Sequence, residues 1–518
     1  MHEALATDRF GNRFHFTTAI LGGACITKCE AHADQVEIPA DVMGYPVVEL
    51  GESSFRGLLS IRSVVCPPRL RRIGARAFES CMHLERVELN DGLRSIGDAA
   101  FALCMSLSVL DVPASVDLLG VNLAGMQGSR WTLKRTHVRI DRDNPYLFMD
   151  AQGVLYKRSK RGNVLLDASH LTEKSYTPDP LTVEIGHQAF AQLEQLESVV
   201  LPEGVKVIGE AAFRGCTALS QIVIPETLEA IADAAFSCTA VTSLYLPKNC
   251  THLGRRALVT GPVIPGSQVM AYRSNLREIS VHPDNPRYCM RDSVLCKRME
   301  RTGELVAVLC PSNVEHVDLA SGVAHVGDTA FAGTYSIGEL RVDEGTDYCA
   351  ACGLLPHCRC ANLTVNLARP VDGMSSVSLE IPEGKVGASM LENSLSTGCV
   401  DAERLLETYD LGLLDVTDGL AQARQMIARL AAPVHLSSKA RATFTEVIVN
   451  ALESVCIHFG ARNYWHGFDQ MADAGILDEG TISRMVGVLS EFGDAPAVGY
   501  LLNLKNARFG KAALDYAL

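Results

Sequence analysis

The phrase IGEAAFRGCTALSQIVIP, Ile208 to Pro225, recurs as IGARAFESCMHLERVELN from Ile73, IGDAAFALCMSLSVLDVP from Ile96, IGHQAFAQLEQLESVVLP from Ile185 and VGDTAFAGTYSIGELRV from Val326. A unit this short has no second layer against which to bury its apolar side chains, so it is stable only when stacked on others like itself. A chain dominated by such a phrase is therefore a stacked array rather than an ordinary two-layer domain.

The phenylalanines set the period. Phe55, Phe78 and Phe101 are 23 residues apart, as are Phe190, Phe213 and Phe236, and Phe331 opens a last copy. Apolar residues follow six, nine and eleven positions after each Phe, as in Leu219, Ile222 and Ile224 or Leu84, Val87 and Leu89. The last two alternate with period two, which predicts a short strand with one face inward. Pro113, Pro202, Pro225 and Pro247 close several copies, and a proline lacks the N–H that would continue a ladder. Ahead of the strand, Ile-Gly and a small-small-Phe run predict a compact arc, with Gly permitting a tight turn and Phe filling the interior.

The phrase resembles the bacterial BspA-type leucine-rich repeat, whose usual form is IGxxAFxxCxxLxxVxIP, over roughly residues 26 to 382. The resemblance implies an α+β protein built on a leucine-rich-repeat solenoid of stacked parallel strands. It implies binding or adhesion and no chemistry.

Three regions are expected. Residues 1–50, with ACITKC, VEIP and GYPVVEL, would supply cap strands for the open end of the solenoid. Residues 51–387 would form the solenoid. Within it the three phenylalanines of the first block map onto those of the second at an offset of 135, and Asp143 maps onto Asp284 at 141. The phrases RIDRDNP and GVLYKRSKRGNVLL return as SVHPDNP and SVLCKRMERTGELVAVL, which predicts a projecting hairpin after each block of three repeats. The first hairpin tip gathers Lys157, Arg158, Lys160 and Arg161, more simply a solvated turn than an anion site.

Residues 388–518 change from period two toward 3.6 and form a small all-α region, with phrases that faintly resemble ankyrin-like helical pairs. Helices are predicted over 401–409, 417–430, 438–459, 464–474, 481–492 and 496–508, with Ser437 or Ser438 and Asp494 placed as caps. Ile448, Leu452, Val455 and Phe459 make one apolar face. His458 and His466 flank the aromatics Phe459, Tyr464 and Trp465, which a helix interface explains more simply than a ligand pocket.

The net charge of −13 opposes a general affinity for nucleic acid or anionic membrane. The opening MHEALATDRFGNRFHF lacks a basic stretch followed by an apolar run, so cytoplasmic residence is expected. The odd count of 17 cysteines is then read as free thiols. Cys81, Cys104 and Cys216, each three residues after a repeat Phe, read as small buried fillers with a weak donor. The run CAACGLLPHCRC, with Cys349, Cys352, His357, Cys358 and Cys360, has the density of a zinc site. The 23-residue register instead places Cys349 on Val326, Cys360 on Ile337, Leu363 on Leu340 and Val365 on Val342, so the thiols should not converge. No metal or cofactor is expected.

No phosphate loop, His-Glu-x-x-His or Gly-x-Ser-x-Gly occurs, and the expected function is a non-enzymatic intracellular scaffold that binds a protein partner. The alternative is a cell-surface adhesin exported without a recognisable signal. The residue between the two inward positions of each strand must face outward, which gives the column Val65, Glu88, Asp111, Val200, Val223, Tyr245 and Arg341. Val200, Val223 and Tyr245 form its apolar stretch and are the expected partner-binding residues.

Overall fold

The computed structural model describes residues 4–19, 22–120, 123, 136–261, 274–312, 314–320, 322–327, 330–331, 334, 336–348, 359–371, 373–381 and 399–510. The chain forms two compact units that meet in sequence at Pro286 and Arg287.

In the first unit every full repeat contributes two short strands, one more than the alternation alone predicts. One column of parallel strands runs through Tyr45–Leu50, Arg72–Ile73, Ser95–Ile96 and Leu118–Leu119. A second runs through Gln35–Glu37, Ser63–Val65 and Arg86–Glu88. The second block repeats both columns, with Thr182–Ile185, Val207–Ile208, Ala230–Ile231 and His252–Leu253 in one and Ser175–Tyr176, Ser198–Val200 and Gln221–Val223 in the other.

Between the two strands lies the arc, and it too is hydrogen-bonded from turn to turn. The N–H groups of Arg76, Phe78 and Ser80 donate to Asp98, Ala100 and Ala102, and those of Ala211, Phe213 and Gly215 donate to Asp233, Ala235 and Ser237. Only alternate amides point along the stack, and that requires left-handed backbone at Arg76, Ser80, Ala99, Ala211 and Ala234. Glycine's expected role is thereby corrected. The glycine of Ile-Gly has no positive φ; a Cβ on Gly74 would stand 2.7 Å from the carbonyl carbon of Gly51, and one on Gly97 2.8 Å from that of Gly74. It is there so that successive turns can approach, while non-glycine residues two positions later carry the strained conformation.

The phenylalanines stack along the interior. Ring centroids are 4.8 Å apart for Phe55–Phe78, 5.1 Å for Phe78–Phe101, 4.9 Å for Phe190–Phe213 and 5.5 Å for Phe213–Phe236, and all six are fully buried. The thiols of Cys81, Cys104 and Cys216 donate to the carbonyls of Phe55, Phe78 and Phe190 one turn away, at 3.0, 3.2 and 2.9 Å. The thiol is thus a second donor to carbonyls that also accept from the amides of Leu58, Cys81 and Leu193 within the arc.

Each block opens on an antiparallel meander of three strands. In the second block it is Leu147–Met149, Leu155–Ser159 and Gly162–Asp167, the last of which pairs in parallel with Thr182–Ile185. The predicted hairpin is the latter two strands. At the N-terminus Ala4–Thr7, Arg13–Thr18 and Ala24–Glu30 have the same topology and lead into Tyr45–Leu50. Asp8 and Asp150 organise the first turn of each meander alike: Asp8 Oδ1 accepts from the amides of Phe10 and Asn12, Asp150 Oδ1 from those of Gln152 and Val154.

The second unit opens on a third meander, Tyr288–Arg291, Val294–Arg298 and Leu305–Leu309, continued in parallel by Val323–Val326 and Asp347–Tyr348. Its other sheet pairs Ser336–Asp343 with Arg359–Val371 in the register read from the repeat, Ile337 opposite Cys360, Leu340 opposite Leu363 and Val342 opposite Val365, whereas in the first sheet the register is one residue shorter and Val326 lies opposite Tyr348 rather than the expected Cys349.

Seven helices follow among the described residues: Ala402–Leu413, Gly419–Ala431, Ser438–Asn450, Leu452–Ala461, Trp465–Asp473, Glu479–Glu491 and Ala495–Phe509. Ser437 caps the third through the amide of Ala440, and Asp494 caps the last through that of Ala497. The single helix predicted over 438–459 is two, parted at Ala451. Ile448, Leu452, Val455 and Phe459 are all buried, so an apolar stripe with helical spacing passes through the break unaltered and does not reveal it. One continuous apolar core runs from Val294 and Leu340 through Leu379 to Tyr409, Met426 and Leu501.

Candidate interaction surface

Val200 and Val223 sit directly opposite one another on adjacent parallel strands, 42% and 54% exposed. Val199 and Leu201 flank Val200 and point into the core, as the alternation requires. Tyr245 belongs to a different ladder, Ser243–Leu246 paired with Glu278–Val281. The column is interrupted between Gln221–Val223 and Ser243–Leu246, as it is in the first block between Arg86–Glu88 and Val109–Val112. Tyr245 is half-buried, and desolvation and a hydrogen bond with Glu226 raise its phenol above the usual value. The structure therefore brings Val200 and Val223 into lateral pairing and places Tyr245 across a ladder break. In the first block Val65 pairs with Glu88, and Asp111 pairs with Arg139, whose guanidinium holds its carboxylate at 2.6 and 2.7 Å and lowers its pKa. Arg341 pairs laterally with Thr364.

The basic hairpin tip is divided. Arg158 donates to the carbonyls of Asn144 and Leu147 and lies 4.3 Å over the Phe148 ring, so it braces the meander. Lys160 and Arg161 occupy the exposed turn. Of the cysteine-rich run, Cys349, Cys352, His357 and Cys358 lie outside the described residues. Cys360 is buried, its thiol pushed up to about 11 by burial. Phe331 is buried in the core of the second unit.

In the helical region Phe459 packs edge-on against Tyr464 and Phe468 at 5.0 and 5.8 Å, and Trp465 stacks on Tyr500 at 5.1 Å. The aromatics form a helix interface, while His466 is exposed and His458 Nδ1 turns back to the Ser454 carbonyl. No described helix is long and apolar enough to cross a membrane.

Two structural devices escaped the sequence reading. Asn144 donates to the carbonyls of Pro113 and Val116, and Asn285 to those of Pro247 and Cys250, so each Asp-Asn-Pro turn is tied back to the turn that closes the repeats before it. The signal was the Asp-Asn-Pro phrase, legible as a turn but silent about the reach of its amide. The second device is a buried chain in which Tyr156 O–H donates to Tyr176 and Tyr176 O–H to Asp150, each at 2.5 Å.

Residues 30–124 and 172–261 match the BspA type leucine rich repeat region, in six copies. Among solved structures, the chain is similar to a leucine rich cell surface protein from Faecalibacterium prausnitzii, at 21% identity over 67% of this chain and 72% of that one, TM-score 0.31. It is similar to the pneumococcal vaccine antigen PcpA at 16% identity over 66% and 94%, TM-score 0.40. A leucine-rich repeat protein from Bacteroides capillosus matches at 27% identity over 27% and 99%, TM-score 0.23. No curated protein matches the chain.

Proposed function

We propose, from the premise that the chain belongs to the BspA-type leucine-rich repeat proteins, that it is a non-enzymatic scaffold that binds a protein partner through the strand face of its second block. Leucine-rich and other solenoid repeats present extended surfaces suited to that task. The observation that carries the reading is the lateral pairing of exposed Val200 and Val223. Strand propensity accounts for valine there, but the equivalent pair in the first block is Val65 and Glu88, so apolar side chains are not required by the ladder. Tyr245, across the ladder break, adds an aromatic edge to the same face.

The test is Val223→Asp combined with Tyr245→Ala, with recovery of the partner compared with wild type and thermal unfolding followed in parallel. Loss of the partner by a chain that melts normally is expected. Full recovery would place the binding surface elsewhere.

A cytoplasmic location goes with this reading, because the described cysteines are free thiols, as a reducing compartment maintains them. Protease treatment of intact cells should leave the protein whole; digestion would make it an exported adhesin.

A further inference from the structure

The two blocks of the first unit share one backbone, with their phenylalanines at a constant offset, and so serve as each other's control. Their charges differ sharply. Residues 51–100 carry eight arginines against six carboxylates, whereas the equivalent residues 186–235 carry two cations against seven carboxylates. Most of the difference is scattered over the two strand columns and the arcs, but one column changes from an ion pair to a pair of like charges. In the second block Lys206 and Glu229 occupy adjacent turns and pair at 2.7 Å. In the first block the same two places hold Arg71 and Arg94, adjacent along the ladder because the Arg94 amide donates to the Arg71 carbonyl at 2.9 Å. Arg69, two residues earlier, stands where the second block has Gly204.

Like charges directly opposite on neighbouring strands are destabilising, and the second block shows that the fold does not need them here. All three arginines are exposed. Among the described residues none of them has a carboxylate at ion-pair distance: Glu49 is taken by Arg72 at 3.6 Å, and Arg94 Nη1 reaches only the Ser115 carbonyl. Asp117 follows Arg94 in the column, and Asp91 lies in the neighbouring turn, without bridging to the arginines. Arg71 and Arg94 in successive turns, with Arg69 beside Arg71 in the same turn, have no ion-pair partner among the described residues and form a local anion-complementary patch in a chain of net charge −13.

We propose that the face formed by Arg69, Arg71 and Arg94 docks an acidic, extended polypeptide segment of a partner. This surface is separate from the Val200–Val223 pair and stands or falls without it. Turns repeat at about 4.8 Å and same-face side chains of an extended chain at about 6.6 Å, a mismatch that long arginine and glutamate side chains absorb over the two turns involved. The occupant is a short acidic segment rather than a long uniform polyanion, because the acidic remainder of this chain repels nucleic acid beyond the patch.

The test uses the full chain and a fluorescein-labelled deca-glutamate peptide, read by anisotropy at low salt. Arg71→Glu with Arg94→Glu should weaken binding about tenfold or more while the melting temperature stays close to wild type, since one exposed like-charge pair replaces another. The charge-matched control, Arg62→Glu with Arg86→Glu on the other strand column, should change affinity less than about twofold. Equal losses in the two variants would reduce the effect to net charge and overturn the proposal, as would failure of the wild type to bind. Tighter binding of duplex DNA or a heparin oligosaccharide, lost in the same variant, would assign the patch to another class of ligand. Self-association abolished by that variant in sedimentation would make the occupant a second copy, also against the proposal. Arg71→Gln with Arg94→Gln carries the same readouts should charge reversal unfold the chain.

Discussion

In the repeats a residue's main neighbours recur one turn away: phenylalanine stacks on phenylalanine, glycine lies against glycine, and each of these thiols donates to the phenylalanine carbonyl of the adjacent turn. In the helical region each key contact is made once. Arg429 and Asp410, exposed by 2% and 5%, form a bidentate pair at 2.6 and 2.8 Å, and the same guanidinium reaches the carbonyls of Ala432 and Val434. Burial raises the Asp410 carboxyl, and the paired guanidinium offsets part of that rise. Farther along, Arg424 grips both carboxylate oxygens of Glu380, and Tyr409 O–H donates to the Glu380 carbonyl. Periodic cohesion is spread over many equal bonds, while the helices depend on a few that nothing duplicates. Damage should therefore stay local in the first region and spread in the second.

Two substitutions of similar size test that contrast. Phe213→Ala removes a ring stacked on both sides and should cost about 3–5 kcal/mol, with hydrogen exchange rising across residues 190–246 and little beyond. Asp410→Ala strands a buried guanidinium and should also cost about 3–5 kcal/mol, but here protection should fall throughout the seven described helices, 402–509. A delocalised response to the first, or a confined response to the second, would erase the distinction.

A smaller loss is expected for Cys216→Ala, which removes the thiol donor and leaves the Phe190 carbonyl only the Leu193 amide, and should cost about 0.5–1.5 kcal/mol. Cys216→Ser, which keeps a donor, should recover part of it by denaturant titration.

The same thiols predict a pH dependence. Burial pushes Cys81 up to about 11 and Cys66, Cys216 and Cys250 up to about 12, against about 9 for a free thiol. Folding therefore holds protons that the unfolded chain releases. The stabilisation is complete below pH 9 and is lost as pH rises toward 12, by about 1 kcal/mol per thiol at pH 10. The described helices contain only Cys456 as a buried thiol of this kind, also at about 12, so melting of the repeats should fall more steeply above pH 9.

The smallest effect has opposite signs in the two regions. Ala211, at φ 51°, should gain up to about 1 kcal/mol on replacement by glycine. Ala428→Gly, inside Gly419–Ala431, should lose about 1 kcal/mol. Calorimetry of both variants decides whether left-handed backbone is a real cost of the arc.

The amino-acid sequence determined whatever depends on spacing along the chain. The period of 23, the inward and outward alternation around Val200, the register that sets Cys360 beside Ile337, and the caps at Ser437 and Asp494 all follow from side chains acting within a few residues or at one fixed repeat. Only tertiary structure decided that the terminal strands and the two hairpins share one meander. It also decided that the glycine of Ile-Gly serves close approach, that Asn144 reaches back to Pro113, and that Tyr245 falls beyond a ladder break. The pairing of Arg429 with Asp410 belongs with these, since 19 residues separate them at no helical or repeat spacing. Periodic side chains report the face on which they lie. Whether two turns come close enough to exclude a Cβ, or fail to close a ladder, depends on how backbones distant in sequence meet.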